Sequence, residues 1–391
     1  MYLNTRNGVL LTAAFISLGI VNGADAQLML SGNENKIDVH TGAARVVPGS
    51  HPEAGSISIL DFSQFPPRVE HLPGIENTVV GPPSNIAITP NHELALIASS
   101  LKIDPNDETQ YAPDDLIHVL DLTTEPPQVI QEIHYGSQPS GMSITPDGKL
   151  AIVANRAAGS ISILRIREKQ VTPLTMIKVD EPEASVSDVA ISPDGKTGLI
   201  SVQEGCYLAQ FTIDDEQVEL NGRRFNTFGR PYRCVISPDG QFGLTAGAGS
   251  GDGAPNIDAL TVIDLQADRP HTTDIVPIGA IPESIEVSPD GKLVAAVVMG
   301  SSNYDASNPL FKDDAEVVLL ERNEDSYKVV QRLPLKRIPE GVAFTSDGKY
   351  LVVQCHLAKE LFLYKVSGQR LEDTGYRIKV PGYASSLRAA P

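Results

Sequence analysis

The chain has 391 residues, of which 41% are hydrophobic and 20% charged, with 32 Gly, 29 Pro and no Trp. That is a globular, turn-rich composition, neither disordered nor fibrous. A formal net charge of −18 repels phosphate backbones and anionic bilayers, which argues against a nucleic-acid partner and against a membrane-surface role.

The first element is a targeting segment. Arg6 precedes an apolar run from Val9 to Val21, and Ala24 and Ala26 stand at the third and first positions before Gln27. Such a run is too short to span a bilayer comfortably, and its small-residue ending reads as a cleaved secretory signal. The expectation is a signal peptide at 1–26, a mature domain at 27–391 and a periplasmic or secreted product without membrane insertion. Cys206, Cys234 and Cys355 are too few for a disulfide framework. Export would permit one bridge, with Cys206 and Cys234 the closest pair in sequence.

From Gln27 onward the chain reads as short strands. Leu28–Ser31 looks like the second strand of a unit and Ser56–Phe62 like its third. A turn signal then recurs, clearest as Thr145-Pro146-Asp147-Gly148-Lys149, at Pro90, Pro146, Pro193, Pro238, Pro289 and Ser346. Each copy lies between two short runs of alternating or apolar residues, and Asp-Gly at such a junction is hairpin chemistry. A third strand follows each pair after a loop, and a weaker fourth closes each unit. No stretch carries a helical period. The copies are 45 to 57 residues apart, and one further step of 45 lands on Pro391. The ending Ala384–Pro391 matches the first-strand pattern, so the C-terminus supplies strand one of a unit whose other strands come from the N-terminus. Seven four-stranded antiparallel units in a closed ring are therefore expected, and closure removes exposed sheet edges.

The segment Pro139–Asn155 resembles the YVTN-type repeat of seven-bladed β-propellers, in the lactonase-like propeller superfamily. The resemblance covers nearly the whole mature chain, in six clear copies and one split copy. It implies an all-β propeller. The activities it brings with it range from sugar-lactone hydrolysis of the 6-phosphogluconolactonase kind, through muconate cyclisation, to quinoprotein-associated and purely binding scaffolds. Asn155 matches the Asn that ends the lactonase-type signature, whereas Arg156 follows where that signature carries Glu.

In such a blade the Asp-Gly turn lies on one face of the ring, and the loops between strands two and three share the other. The long insertions Ser99–Asp115, Ala246–Asp258 and Met299–Asp314 all fall on that second face. Loops elaborated on one rim of a rigid scaffold are where binding sites arise. The blade entrances on this face are mostly Ser and Gly, and Arg233, Glu283 and Glu340 depart from that pattern, with Asp188 and His356 as possible neighbours. Glu283, Glu340 and His356 are the catalytic candidates, and Asn155, Arg156, Asp188 and Arg233 the ligand-binding ones. Arg223, Arg224, Arg230 and Arg233, with Phe225, Phe228 and Tyr232, form a basic-aromatic cluster able to hold a carboxylate or phosphate. Asp252, Asp258, Asp305, Asp313 and Asp314 offer oxygens to Ca²⁺ but follow no EF-hand spacing, so no metal ligand is assigned and the cofactor is unknown.

Two function classes fit this layout. The first is an exported monomeric scaffold whose rim loops bind a protein or small-molecule ligand, which the variable insertions favour. The alternative is a hydrolase or isomerase of small acidic or lactone substrates at the channel mouth, which the Arg-Glu-His polarity favours.

Overall fold

The computed structural model describes residues 27–39, 44–51, 55–78, 81–181, 183–247 and 257–391. Its repeating unit follows from the turn motif. In Thr145–Leu150 the Thr145 hydroxyl donates to Asp147 Oδ1 at 2.6 Å and accepts from the Leu150 amide at 3.0 Å, while Asp147 Oδ1 accepts from the Lys149 amide at 3.1 Å. Gly148 closes the turn at φ 73°, a left-handed conformation that costs glycine nothing. The same hydroxyl–carboxylate clasp recurs at Ser192/Asp194, Ser237/Asp239, Ser288/Asp290 and Thr345/Asp347. At the first copy Asn91 takes the place of Asp and His92 supplies the positive φ, at 58°.

Each turn joins the two inner strands of a sheet, and among the described residues the chain forms seven four-stranded antiparallel sheets. We number the blades from the one holding the N-terminus. Blade 1 comprises Tyr383–Ala389, Leu28–Glu34, Ser56–Asp61 and Arg68–Pro73, and blade 2 begins at Ile86–Ile88. Blades 3 to 7 begin at Pro139–Ile144, Val186–Ile191, Pro231–Ile236, Pro282–Val287 and Pro339–Phe344. The C-terminal strand pairs with the N-terminal one from Met29↔Ala389 to Glu34↔Tyr383, which closes the ring as the split repeat requires. Gln354 of blade 7 reinforces the seam, donating to Ser31 Oγ at 2.8 Å and to the Ser386 carbonyl at 2.7 Å.

The core lies between blades. Ile161, Ile163, Val186, Ile200, Val202 and Phe211 fill the space between blades 3 and 4, and equivalent aliphatic layers separate other neighbours. Inner strands are buried on both faces, as in Leu150–Asn155, because each blade packs against two neighbours, while outer strands mix exposed polar with half-buried residues.

Two insertions on the loop face form hairpins of their own, Ile37–Asp38 with Arg45–Val46 in blade 1 and Leu101–Asp104 with Asp107–Pro113 in blade 2. The second was expected as a loop. The first, between Glu34 and Ser56, was not among the expected insertions. It is anchored by buried Lys36, whose ammonium pairs with Glu76 and reaches Ser99 Oγ at 3.4 Å. The three cysteines are free thiols, Cys234 and Cys355 buried and Cys206 partly so, so the permitted Cys206–Cys234 bridge is not formed. The expected signal segment 1–26 lies outside the described residues.

Candidate functional site at the channel mouth

The blade entrances carry a local irregularity that aims side chains. In blades 3, 4, 5 and 7 the pairing of the first two strands slips between the opening residue and the residue three further on, and in blade 6 it slips between Pro282 and Ser284. Such bulges re-aim side chains next to binding sites. The residues after the entrance position are Ser84, Ser140, Ser187 and Ser385 in four blades, but Tyr232, Glu283 and Glu340 in the consecutive blades 5, 6 and 7. Large groups therefore crowd one side of the mouth.

A cavity of about 240 Å³ opens there. Glu283, Glu340, Tyr232, His356, Asn303 and Ser385 form its polar part. Ile37, Val39 and Ala44 of the blade 1 insertion, with Ile281, Met299 and Ile338, form its apolar walls. Glu34 also lines it, but its carboxylate is committed: Oε1 accepts from the amides of Asn35 at 2.8 Å and Ile37 at 3.1 Å, and Oε2 from the Thr78 hydroxyl.

The two remaining carboxyls form an electrostatic pair. Burial pushes Glu283 up to about 7, against the pull of a hydrogen bond from Tyr232 and the nearby Arg156 charge. Burial first, and the Glu283 charge second, push Glu340 well above the usual carboxylate range. Two carboxyls that share one pocket, with the charge of Glu283 raising Glu340, do not both ionise readily, so the pair retains a proton more tightly than either residue would alone. Tyr232 is likewise raised, by burial and then by Glu283. The Arg156 guanidinium lies 5.9 Å from the centre of the Tyr232 ring, hydrogen-bonds its hydroxyl, and donates from Nε to Ser185 Oγ at 3.2 Å. On the other flank His356 Nδ1 is 3.1 Å from the Ala384 carbonyl and 4.0 Å from Glu340 Oε1, with its ring stacked on Tyr383 at 5.0 Å. The carbonyl fixes the Nδ1–H tautomer of the neutral ring.

The structure thus brings Glu283, Glu340 and His356 together, with Arg156 behind Tyr232. It places three other expected site residues elsewhere. Asn155 is buried at the end of the second strand of blade 3, where its amide donates to Ser160 Oγ at 3.1 Å and Ser162 Oγ at 2.8 Å. Asp188 is buried deeper in the channel and accepts from Ser84 Oγ at 2.8 Å and the Cys234 amide at 2.9 Å, reaching across the bare backbone of Gly141. Burial raises it, offset chiefly by the Arg233 charge. Arg233, expected on the rim, is 1% exposed; it donates from Nε to the Ile285 carbonyl at 2.6 Å and pairs with Glu286. Asp188 and Arg233 therefore tie blades 2, 4, 5 and 6 together across the ring. The physical reason is register: they stand one residue beyond the mouth-facing position, so their side chains turn into the contacts between inner strands.

The other expected signals are absorbed by local structure. Arg224 pairs with Glu181 at 3.1 Å and Arg230 with Glu204 at 2.8 Å, which disperses the basic cluster. Asp258 accepts from the Ile281 amide and Asp314 from the Ser301 amide, whereas Asp252 lies outside the described residues. Sequence reasoning placed Tyr232 only in the basic-aromatic cluster and not among the channel-mouth residues, although it stands in the same column as Glu283 and Glu340. It also missed the blade 1 insertion, which no turn motif announces.

No protein-family model and no curated protein matches the chain by sequence. Solved structures do match. A periplasmic gluconolactonase from Pseudomonas aeruginosa superposes with a TM-score of 0.69 at 15% identity, covering 94% of this chain and 99% of that one. A Bacteroides uniformis protein provisionally assigned as a 6-phosphogluconolactonase gives 0.69 at 18% identity, over 93% and 99%. The hydrazine synthase of Kuenenia stuttgartiensis gives 0.57 at 21% identity, over 75% and 79%. This chain is a seven-bladed β-propeller. At such identities the likeness establishes the fold alone, and propellers with different activities share it. No helix among the described residues is long and apolar enough to cross a membrane.

Proposed function

We propose that the channel mouth is a hydrolytic site for a lactone-like small molecule, in an exported protein. The observation that carries this reading is the Glu283–Glu340 pair: two carboxyls in one pocket whose environments push both upward, Glu340 further than Glu283. Groups separated in this way can take the two halves of acid–base work. Glu283, as carboxylate, removes a proton from water while the water oxygen attacks the lactone carbonyl carbon. Glu340, as acid, gives its proton to the ring oxygen as the acyl–oxygen bond breaks. The product is a hydroxy acid, and proton return from Glu283 to Glu340 resets the pair. Tyr232 and Arg156 hold Glu283 in place, and once the hydroxy acid has lost its proton to water its carboxylate is repelled by the pair, which favours release.

The gluconolactonase neighbours support the choice of a lactone, and the periplasmic one supports the expected export. The test is a lactone-hydrolysis screen. Glu283→Gln and Glu340→Gln should each lower kcat about 10²- to 10⁴-fold, the usual range for loss of a general acid or base. In the wild type kcat/KM should rise as pH increases through about 7, where Glu283 ionises, and fall again at the higher pH where Glu340 does. Turnover indifferent to both substitutions would refute the assignment.

A further inference from the structure

Resting on that reading, we infer that the substrate is an uncharged, unphosphorylated lactone carrying a short apolar substituent. The pocket lining, among the described residues, includes no Lys or Arg. A phosphate group requires cationic or clustered amide donors, and here it would meet the Glu283–Glu340 pair instead. The nearest guanidinium, Arg156, lies behind Tyr232 and Gly81, is engaged by Ser185 and Tyr232, and sits in the field of Glu283. The floor of the pocket therefore presents two carboxyls and no cationic side chain among the described residues. A neutral ring suits it, and a dianion does not.

The walls carry the second half of the argument. Ile37 and Val39 come from the blade 1 insertion, Ile281 and Ile338 from the connections into blades 6 and 7, and Met299 from the end of a blade 6 strand. Ile37, Met299 and Ile338 are buried around an open volume. Sugar hydroxyls turned against these aliphatic side chains would lose water without a partner there, whereas an alkyl group loses nothing; apart from the committed Glu34, the hydrogen-bonding side chains of the lining are confined to Glu283, Glu340, Tyr232, His356, Ser385 and Asn303. The volume of about 240 Å³ equals the share of roughly eight liquid water molecules at ~30 Å³ each, enough for a six-membered ring with a short chain.

The test compares kcat/KM for δ-valerolactone, δ-nonalactone, glucono-δ-lactone and 6-phosphogluconolactone, and separately measures binding of the non-hydrolysable analogues piperidin-2-one and 6-butylpiperidin-2-one by calorimetry. Each buried methylene is expected to raise kcat/KM or affinity about 4-fold, so the butyl group should be worth roughly 10- to 250-fold. The phosphorylated lactone should fall at least about 100-fold below δ-nonalactone. Val39→Lys should weaken 6-butylpiperidin-2-one binding and narrow the discrimination against phosphate, with an unchanged melting curve verifying the fold. Preference for gluconolactone or its phosphate, abolished by Glu283→Gln, would overturn this inference and leave the acid–base reading standing. Graded lactam binding without hydrolysis of any lactone would uphold the ligand class and overturn the hydrolytic reading. A butyl group that adds neither affinity nor rate would overturn the inference.

Discussion

Replacing Glu283 by Gln removes a carboxyl that the fold holds partly out of water, so the substitution that damages the proposed chemistry should also stabilise the protein. The effect depends on pH, and its sign follows from linkage. Burial raises Glu283 from its ordinary 4.5 to about 7. Below pH 4.5 the residue is protonated in both folded and unfolded chains and costs nothing. Between 4.5 and 7 the unfolded chain releases the proton while the folded one retains it, so stability declines with rising pH; above 7 the deficit is constant. At about 1.36 kcal/mol per pH unit the full deficit is roughly 3.4 kcal/mol. Glu283 shares its titration with Glu340 and is only half-buried, so about 1–3 kcal/mol is expected. Gln keeps the acceptor oxygen for Tyr232 and carries no charge at any pH. The unfolding entropy of a chain this long is roughly 0.8 kcal/mol/K, so Glu283→Gln should melt about 1–4 °C above the wild type at pH 8 and level with it at pH 4.5. Paired thermal melts at the two pH values measure this directly. A variant less stable than the wild type at pH 8 would mean that attraction to Arg156 outweighs desolvation, and the claim of a proton-sharing pair would fail.

Further outcomes follow from the ring and its turns. Deleting Ala384–Pro391 removes buried Leu387, worth about 3 kcal/mol, together with the backbone hydrogen bonds to Leu28–Glu34 at about 1 kcal/mol each, so denaturant midpoints should drop by more than about 5 kcal/mol equivalent; a truncated chain that unfolds like the intact one would contradict closure. Gly141→Ala would put a methyl group 1.9 Å from Asp188 Oδ1 and 2.7 Å from Ser84 Oγ, displacing the carboxylate from its partners at a cost of about 2–4 kcal/mol in urea titration. Asp239 and Asp347 are drawn down to about 2, burial being outweighed by hydrogen bonds from Ser237 and Arg322 and from Lys349 and Thr345. Their contribution should be intact above pH 4 and lost as pH falls towards 2, so Asp239→Asn should destabilise at pH 7 and be silent at pH 2 by circular dichroism.

What the sequence determined by itself is local and repetitive. A hydroxyl, an Asp and a Gly at fixed offsets can satisfy one another only in a tight turn, so Thr145–Leu150 and its copies announce themselves without tertiary help. Those six copies, with the leftover first strand at Ala384 and the unmatched strands after Gln27, give seven blades and the closure, because every blade needs the same four strands. Glu283 and Glu340 were legible as departures from a Ser/Gly column, with His356 as a neighbour at the end of a second strand. What only the tertiary structure decided is where adjacent columns point. Tyr232 and Arg233 are neighbours in the chain, yet the bulge at the entrance to blade 5 sends one to the channel mouth and the other into the contacts between blades. The blade 1 insertion likewise reaches the pocket through its anchorage on Glu76 and Ser99, which are distant in sequence. Local sequence sets the turn, while the aim of a side chain at a ring axis depends on the register of strands from other blades, which no single repeat contains.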